Sequence, residues 1–309
     1  MDDEDWFERA ADGETADTAD SEPPSDAEED SVEAATEDEA DPFESDAAPL
    51  DVDLDDGEDF GFESGPDQSF EEEPYQADQP RIDVGIDGLD AMIQEGVPER
   101  STMAVVGGAG TGKTTFALQF VQRAIEQDGR AVYITLEETR DGILDSARQK
   151  GWDFAAATEA GNLSVLDMDP TEMANSLTSI RSELPHLVAE FGADRLVLDS
   201  VSLLEMMYDD QATRRTEIYN FTRSLEAAGV TTLVTSEAAQ DTPYASRFGI
   251  IEYLTDAVFV LQYVRPEQFQ ETRLAVEIQK IRDANHSRET KPYEITTDGL
   301  SVYRDASIF

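Results

Sequence analysis

The chain of 309 residues is strongly acidic: 70 Asp and Glu residues outnumber 22 Lys and Arg residues, for a formal net charge of −48. It contains no cysteine, which excludes disulfides, zinc ribbons and thiol catalysis. No apolar run approaches the roughly 20 residues that a membrane-spanning helix needs. The acidic start is also the reverse of a signal peptide. We therefore expect a soluble, cytoplasmic protein that is not inserted in a membrane.

The acidity is concentrated at the amino end. Residues 1–80 hold 33 Asp and Glu residues, a single Arg and seven of the 13 prolines. Dense like charge, frequent proline and few apolar residues cannot bury enough surface to offset chain entropy. The sequence therefore predicts a disordered acidic tail over 1–80 and one folded domain over 81–309.

Several aromatic residues lie among the acidic residues of this tail: Trp6, Phe7, Phe43, Phe60, Phe62, Phe70 and Tyr75. Such a composition is found in disordered segments that bind a protein partner. A solubilising tail with incidental aromatic residues is an equally good interpretation. The sequence leaves both open.

The predicted domain is also acidic, with 37 Asp and Glu residues against 21 Lys and Arg residues. A dedicated acidic partner surface is one interpretation. The other is adaptation to a salty cytoplasm, because a hydrated acidic surface keeps a protein soluble under strong screening. The spread of acidity over the whole chain favours this halophilic interpretation. A surface this negative repels nucleic acid, so nucleic acid is not the expected partner.

After Pro80 the sequence predicts alternating strands and helices. A short helix over 88–93 precedes a strand over 102–106, and an amphipathic helix follows over 114–127. Strands over 131–136, 163–166, 195–198 and 231–235 then alternate with helices over 140–151, 171–190 and 212–228. From Asp256 onward, apolar residues alternate as in antiparallel strands. This order predicts a single α/β domain with a doubly wound, mostly parallel sheet and an antiparallel carboxyl-terminal extension.

The first strand and its helix are joined by the motif Gly-x-x-x-x-Gly-Lys-Thr. The glycines let backbone N–H groups curl round a β-phosphate, and the helix N-terminus adds partial positive charge. Lys113 is expected to reach the β- and γ-phosphates, and the Thr114 hydroxyl to coordinate Mg2+. The motif predicts a P-loop that binds ATP with magnesium through Gly107, Gly108, Ala109, Gly110, Thr111, Gly112, Lys113, Thr114 and Thr115.

Carboxylates follow two of the other predicted strands. Asp199 ends the most apolar one, at the sheet edge beside the P-loop, and we expect it in the outer shell of the magnesium ion. Taken alone, such an Asp is more often a helix cap. Glu137 and Glu138 end the strand after the P-loop helix, where a carboxylate could polarise the attacking water. Adjacent strand residues face opposite sides, so we expect Glu137 to be the base and Glu138 to assist or be structural.

With these motifs in place, residues 81–309 resemble the KaiC branch of the RecA-like ATPases. The matching stretches are 85–90, the P-loop, 133–139, 150–153, 196–200, 248–252 and 280–286. The Leu-Glu-Glu-Thr stretch and the Lys-x-Arg-x-x-x-His spacing are specific to that branch. The resemblance implies a RecA-like P-loop NTPase fold, a catalytic glutamate pair and a homo-oligomeric, hexameric ring with ATP at the subunit interfaces.

The resemblance also implies a role for a basic motif near the end of the chain. In that family the motif reaches the nucleotide of a neighbouring subunit, and Lys280, Arg282 and His286 match it. Residues 280 and 282 are two apart on a predicted strand, so both side chains project from one face. Two cations on one face suit a γ-phosphate supplied by another chain. An exposed strand with ordinary charges, and a His that caps a turn, are the alternatives.

Two departures from the family pattern limit what the resemblance implies. The cyanobacterial clock protein has two ATPase domains in tandem and this chain has one, which places a clock function in doubt. The self-phosphorylating half of that protein carries a Ser-Thr pair where this chain has Glu252 and Tyr253. Autokinase activity is therefore not expected.

Three functions are compatible with these features of the sequence. The favoured one is a slow ATPase that acts as an oligomeric regulatory switch and changes partners with nucleotide state. The alternative is a RecA- or RadA-like recombination protein or mediator that binds single-stranded DNA through the loop after Ser236, over 238–248. That loop offers Arg247, Tyr244 and Phe248, but Asp241 cancels its single positive charge. The predicted catalytic glutamate and magnesium carboxylate argue against the third, a non-hydrolysing scaffold.

Overall fold

The structure, a computed structural model, describes residues 79–265 and 272–306. Residues 1–78, and with them the predicted tail and its aromatic residues, lie outside the described part. The strands are β1 (Arg81–Ile82), β2 (Val97–Pro98), β3 (Thr102–Gly107), β4 (Ala131–Thr135), β5 (Leu163–Asp167), β6 (Arg195–Asp199), β7 (Thr231–Glu237), β8 (Ala257–Val264), β9 (Arg273–Ile281), β10 (Lys291–Thr296) and β11 (Gly299–Val302). The helices are α1 (Asp87–Asp90), α2 (Lys113–Glu126), α3 (Arg140–Gln149), α4 (Phe154–Glu159), α5 (Pro170–Asn175), α6 (Leu177–Phe191), α7 (Val201–Met206), α8 (Gln211–Ala228) and α9 (Ile251–Leu254).

Nine of these strands form one sheet in the order β11-β10-β9-β8-β3-β7-β6-β4-β5. The strands from β3 to β8 are mutually parallel. Strands β9, β10 and β11 continue the sheet in antiparallel fashion and are called the extension below. The predicted fold class, a mostly parallel sheet with an antiparallel carboxyl-terminal extension, is confirmed.

Helices cover both faces of the parallel strands, which explains why these strands are continuous apolar runs. On one face α2, α3 and α4 pack around Phe116, Phe120 and Tyr133. On the other face α6, α7 and α8 pack around Leu184 and Phe221. Because both faces are buried, side chains that serve a bound ligand are expected at the edge where the parallel strands end.

The helix predicted over 171–190 is two helices. Asp169 accepts hydrogen bonds from the N–H groups of Thr171 and Glu172, and Pro170 occupies the first turn, so α5 begins there. It ends after one and a half turns at Ser176, which also precedes α6. Met173 and Leu177 keep helical spacing across the break, so apolar periodicity could not reveal it.

Helix α2 joins the beginning and the end of the described domain. Gln119 donates to the carbonyl of Gly85 at 3.0 Å and accepts from the N–H of Leu300 at 2.8 Å. One turn further, Arg123 forms a salt bridge with Asp83. The P-loop helix is thus held to both ends of the domain by its own polar side chains.

Among the residues that the structure describes, no helix combines the length and the apolar character that a membrane crossing would require.

Candidate active site

The P-loop connects β3 directly to the first turn of α2. Gly110 and Gly112 have φ of +76° and +90°, the left-handed region that glycine enters at little cost. A Cβ added to Gly108 would meet no atom within 4 Å, so this part of the loop is open. The Lys113 ammonium donates to the Gly108 carbonyl at 3.2 Å. A backbone loop open on one side, with an ammonium over it and a 14-residue helix behind it, fits a bound polyphosphate.

The other side of the P-loop is closed by side chains from β8 and β10. A Cβ on Gly110 would lie 2.8 Å from the hydroxyl oxygen of Tyr263, and one on Gly112 would lie 2.9 Å from Cδ1 of Ile295. Between them, the Tyr293 hydroxyl donates to the Thr111 carbonyl at 2.5 Å. Sequence reasoning missed all three contacts, because they come from strands more than 150 residues away on the chain.

Asp199 ends β6 at the carboxyl edge of the sheet, where it was predicted. Its carboxylate is buried and accepts hydrogen bonds from the Tyr133 hydroxyl of β4, at 2.7 Å, and from the Thr235 hydroxyl of β7. Burial, and then the charge of Asp199, raise the pKa of Tyr133, so the phenol stays protonated and donates. Two neighbouring strands thus fix the orientation of this carboxylate.

The donor set fits a magnesium ion held mainly by phosphate. Among the described residues, no cluster of three or more His, Cys, Asp or Glu side chains could hold a metal by itself. Each Asp199 oxygen already accepts one protein hydrogen bond and retains a lone pair, which suits contact with the ion through water. The residues present therefore fit Mg2+ bound by the Thr114 hydroxyl and nucleotide phosphates, with Asp199 in the outer shell.

Glu137 and Glu138 lie beyond the end of β4, because the strand stops at Thr135. The expectation that they alternate across a strand is wrong, since both lie in a bend and both are exposed. The Thr135 hydroxyl accepts from their N–H groups, at 3.3 Å from Glu137 and 3.0 Å from Glu138. Burial, then the charges of Asp199 and Glu137, raise the pKa of Glu138. The two glutamates and Asp199 thus share one edge of the sheet.

Lys280 and Arg282 lie away from the P-loop of their own chain. Lys280 pairs with Val258, which pairs with Ala104, three residues before Gly107. Lys280 is therefore displaced from Gly107 by three residues along the strand direction and by two strands across the sheet. These displacements place the two backbones roughly 14 Å apart. Arg282 follows the end of β9, even farther from the P-loop, and forms a 3.1 Å salt bridge with Asp256. Burial, and then the charge of Arg282, lower the pKa of Lys280.

His286 lies in the connection between β9 and β10. It forms an isolated antiparallel bridge with Ile93, and its Nδ1 lies 3.0 Å from the carbonyl oxygen of Ser287. Its backbone is therefore fixed against the segment that follows α1. The structure does not bring His286 together with the P-loop residues.

A mostly parallel sheet with a P-loop after β3 and a buried aspartate at the end of β6 defines the class of RecA-like P-loop ATPases. The family model described as "ATPase: KaiC" matches residues 82–307. The chain belongs to this KaiC family of ATPases.

Several relatives support this assignment. The circadian clock oscillator protein KaiC of Parathermosynechococcus lividus is 30% identical over 231 residues, which cover 72% of this chain and 42% of that protein. KaiC of Acaryochloris marina is 31% identical over 230 residues, which cover 72% and 44%. The chain thus spans less than half the length of the curated relatives it matches. The crystal structure of a KaiC-like protein from Pyrococcus horikoshii OT3 has a TM-score of 0.64 and 32% identity, covering 73% of this chain and 99% of that chain.

Proposed function

We propose that the protein binds ATP with magnesium, hydrolyses it slowly and acts as an oligomeric switch in regulation or signalling. The single observation that carries this proposal is the open P-loop with the Lys113 ammonium at its mouth. Lys113 would neutralise the β- and γ-phosphates, and Thr114 with Asp199 would hold the ion. Glu137 or Glu138 would polarise the attacking water.

The position of the basic motif supports a site shared between subunits. Lys280 and Arg282 lie two residues apart at the end of β9, too far from their own P-loop to contact a phosphate bound there. They are therefore available to the nucleotide of a neighbouring chain, as in a ring. Arg282 is paired with Asp256 within its own chain, so a phosphate from a neighbour would compete with that carboxylate.

Single-stranded DNA is the weaker alternative. The predicted DNA-contacting cation, Arg247, forms a 2.5 Å salt bridge with Glu237 and lies 5.8 Å from the centroid of the Phe248 ring. A guanidinium already paired with a carboxylate adds little attraction for a phosphate backbone. The loop therefore offers little attraction for single-stranded DNA. Autokinase activity remains outside the proposal, because Glu252 and Tyr253 occupy the corresponding positions.

The test is the affinity for ATP, measured by calorimetry with magnesium in molar potassium chloride. Lys113→Ala should weaken MgATP binding by about a hundredfold, because charge-assisted contacts to two phosphates are lost. Lys291→Ala is the matched control, since Lys291 is paired with Glu289 at 2.7 Å and lies on β10. Equal affinity of the Lys113→Ala protein and the wild type would remove the central claim.

A further inference from the structure

Three consecutive P-loop residues each meet a different side chain of β8 or β10. Tyr263 lies at Gly110, Tyr293 at Thr111 and Ile295 at Gly112. A Cβ added at Gly110 or Gly112 would lie within 3 Å of Tyr263 or Ile295, so these two side chains lie against positions that have no side chain. Of the three side chains, Tyr293 is the one that donates a hydrogen bond to the loop backbone, so it can fix the orientation of a peptide group.

Tyr293 is held firmly in the sheet. It is 3% exposed and pairs with Leu274 of β9, which pairs in turn with Tyr263 of β8, so three residues lie in register across three strands. Burial, and then the neighbouring Tyr263, raise the pKa of Tyr293. The phenol therefore remains a hydrogen-bond donor throughout the working pH range.

The peptide that Tyr293 holds is one that would otherwise rotate easily. Thr111 lies between Gly110 and Gly112, both with positive φ, and glycine passes between backbone conformations at little cost. The Thr111 hydroxyl donates to the Gly108 carbonyl at 2.8 Å, which fixes the side chain but not the following peptide. The carbonyl of Thr111 and the N–H of Gly112 belong to one trans peptide and point in opposite directions. A carbonyl held toward β10 therefore directs the Gly112 N–H away from β10.

We propose that Tyr293 is a positioning residue for nucleotide binding, whose hydroxyl fixes the Thr111–Gly112 peptide with its N–H directed at the phosphate site before the nucleotide arrives. The inference rests on the proposed binding of ATP. Preorganisation of this kind raises affinity, because the apparent dissociation constant is the intrinsic one divided by the fraction of binding-competent protein. The extension would thus contribute to the nucleotide site of its own chain as well as carrying the basic motif.

Tyr293→Phe tests the proposal, because it removes the hydroxyl and preserves the ring. The dissociation constants for MgATP and MgADP should rise about fivefold, the scale of one neutral hydrogen bond. The KM should rise by the same factor with kcat unchanged, since the lost contact is equal in the ground and transition states. The matched control is Tyr303→Phe, which removes a hydroxyl whose pKa is raised by Glu294 of the same strand β10 and leaves the P-loop untouched. Its affinity for both nucleotides should equal that of the wild type.

The outcomes separate this inference from the proposed function. If the wild type fails to bind MgATP, the proposed function is wrong. If the wild type binds and Tyr293→Phe binds as tightly, the positioning role is overturned while ATP binding stands. A lower melting temperature of the Tyr293→Phe protein with unchanged affinity would show a purely structural hydroxyl, and would also overturn the proposal.

Discussion

Glu205 should make the stability of the protein depend on pH. This residue of α7 is fully buried, and neither carboxyl oxygen has a hydrogen-bond partner in the described part of the chain. The charged groups facing it are Arg214, Arg247 and Glu252. Arg214 donates to the backbone carbonyl of Glu205 and lies 3.9 Å from the Phe248 ring centroid, and Arg247 is paired with Glu237. The two cations are therefore engaged elsewhere.

The size of the effect follows from the shift of the pKa. Burial, only partly opposed by Arg214, raises the pKa of Glu205 from 4.5 to about 8. Between these values the folded state holds one proton more than the unfolded state, so the free energy of unfolding decreases as the pH rises. The slope is about 1.4 kcal/mol per pH unit, and the loss from this residue reaches about 4 kcal/mol at pH 8. Above pH 8 the folded state also loses the proton and the slope disappears.

Glu205→Gln preserves the size of the side chain and removes its titration. Wild type and variant should have similar stability near pH 5, and the variant should be more stable by about 4 kcal/mol at pH 8. Urea unfolding followed by circular dichroism between pH 5 and 8.5, at constant salt, measures the difference. Glu159→Gln, on the exposed surface of α4, controls for the general acidity of the chain. A difference between wild type and Glu205→Gln that stays constant with pH would refute the reasoning.

Two further predictions concern catalysis and assembly. Glu137→Gln should retain ATP binding and lower kcat by about a hundredfold or more, as expected for loss of a general base. If Glu138→Gln loses more activity than Glu137→Gln, Glu138 is the base. If both variants remain active, the base is another residue. Mixing Arg282→Ala subunits with subunits that carry both glutamine substitutions should restore activity, because some interfaces then combine an intact glutamate pair with an intact arginine. Light scattering should give a mass several times 34.1 kDa when ATP is present. If the two kinds of subunit assemble together and ATPase activity is not restored, a site shared between subunits is excluded.

The sheet and the P-loop could be predicted because their signals are local. Apolar runs of strand length identified the parallel strands, and one uninterrupted motif identified the phosphate loop. The end of β4 could not be predicted in the same way. Leu136 is apolar and buried like the strand residues before it, yet its N–H bonds the carbonyl of Asp199 and the chain bends. The strand therefore stops at Thr135, and Glu137 and Glu138 lie beyond its end.

The groups that orient the site were beyond sequence reasoning for a different physical reason. Tyr133 reaches Asp199 across 66 residues of chain, and Tyr293 reaches Thr111 across 182. Such contacts exist only once the strand order of the sheet is known, and no periodic pattern encodes them. Thr235 was the one such group with a signal in the sequence. It is a polar residue near the end of an apolar strand, and that position suits a hydrogen-bond donor to Asp199 on the neighbouring strand.

The double attachment of Gln119 has a consequence for the connectivity of the domain. Gly85 and Leu300, bonded to the same amide, lie within one side-chain length of each other, and Arg304 donates to the carbonyl of Asp87. The segment between β1 and α1 and the last described strand, β11, are therefore neighbours in space. A domain in which an early and a late segment adjoin is a candidate for circular permutation through a short linker.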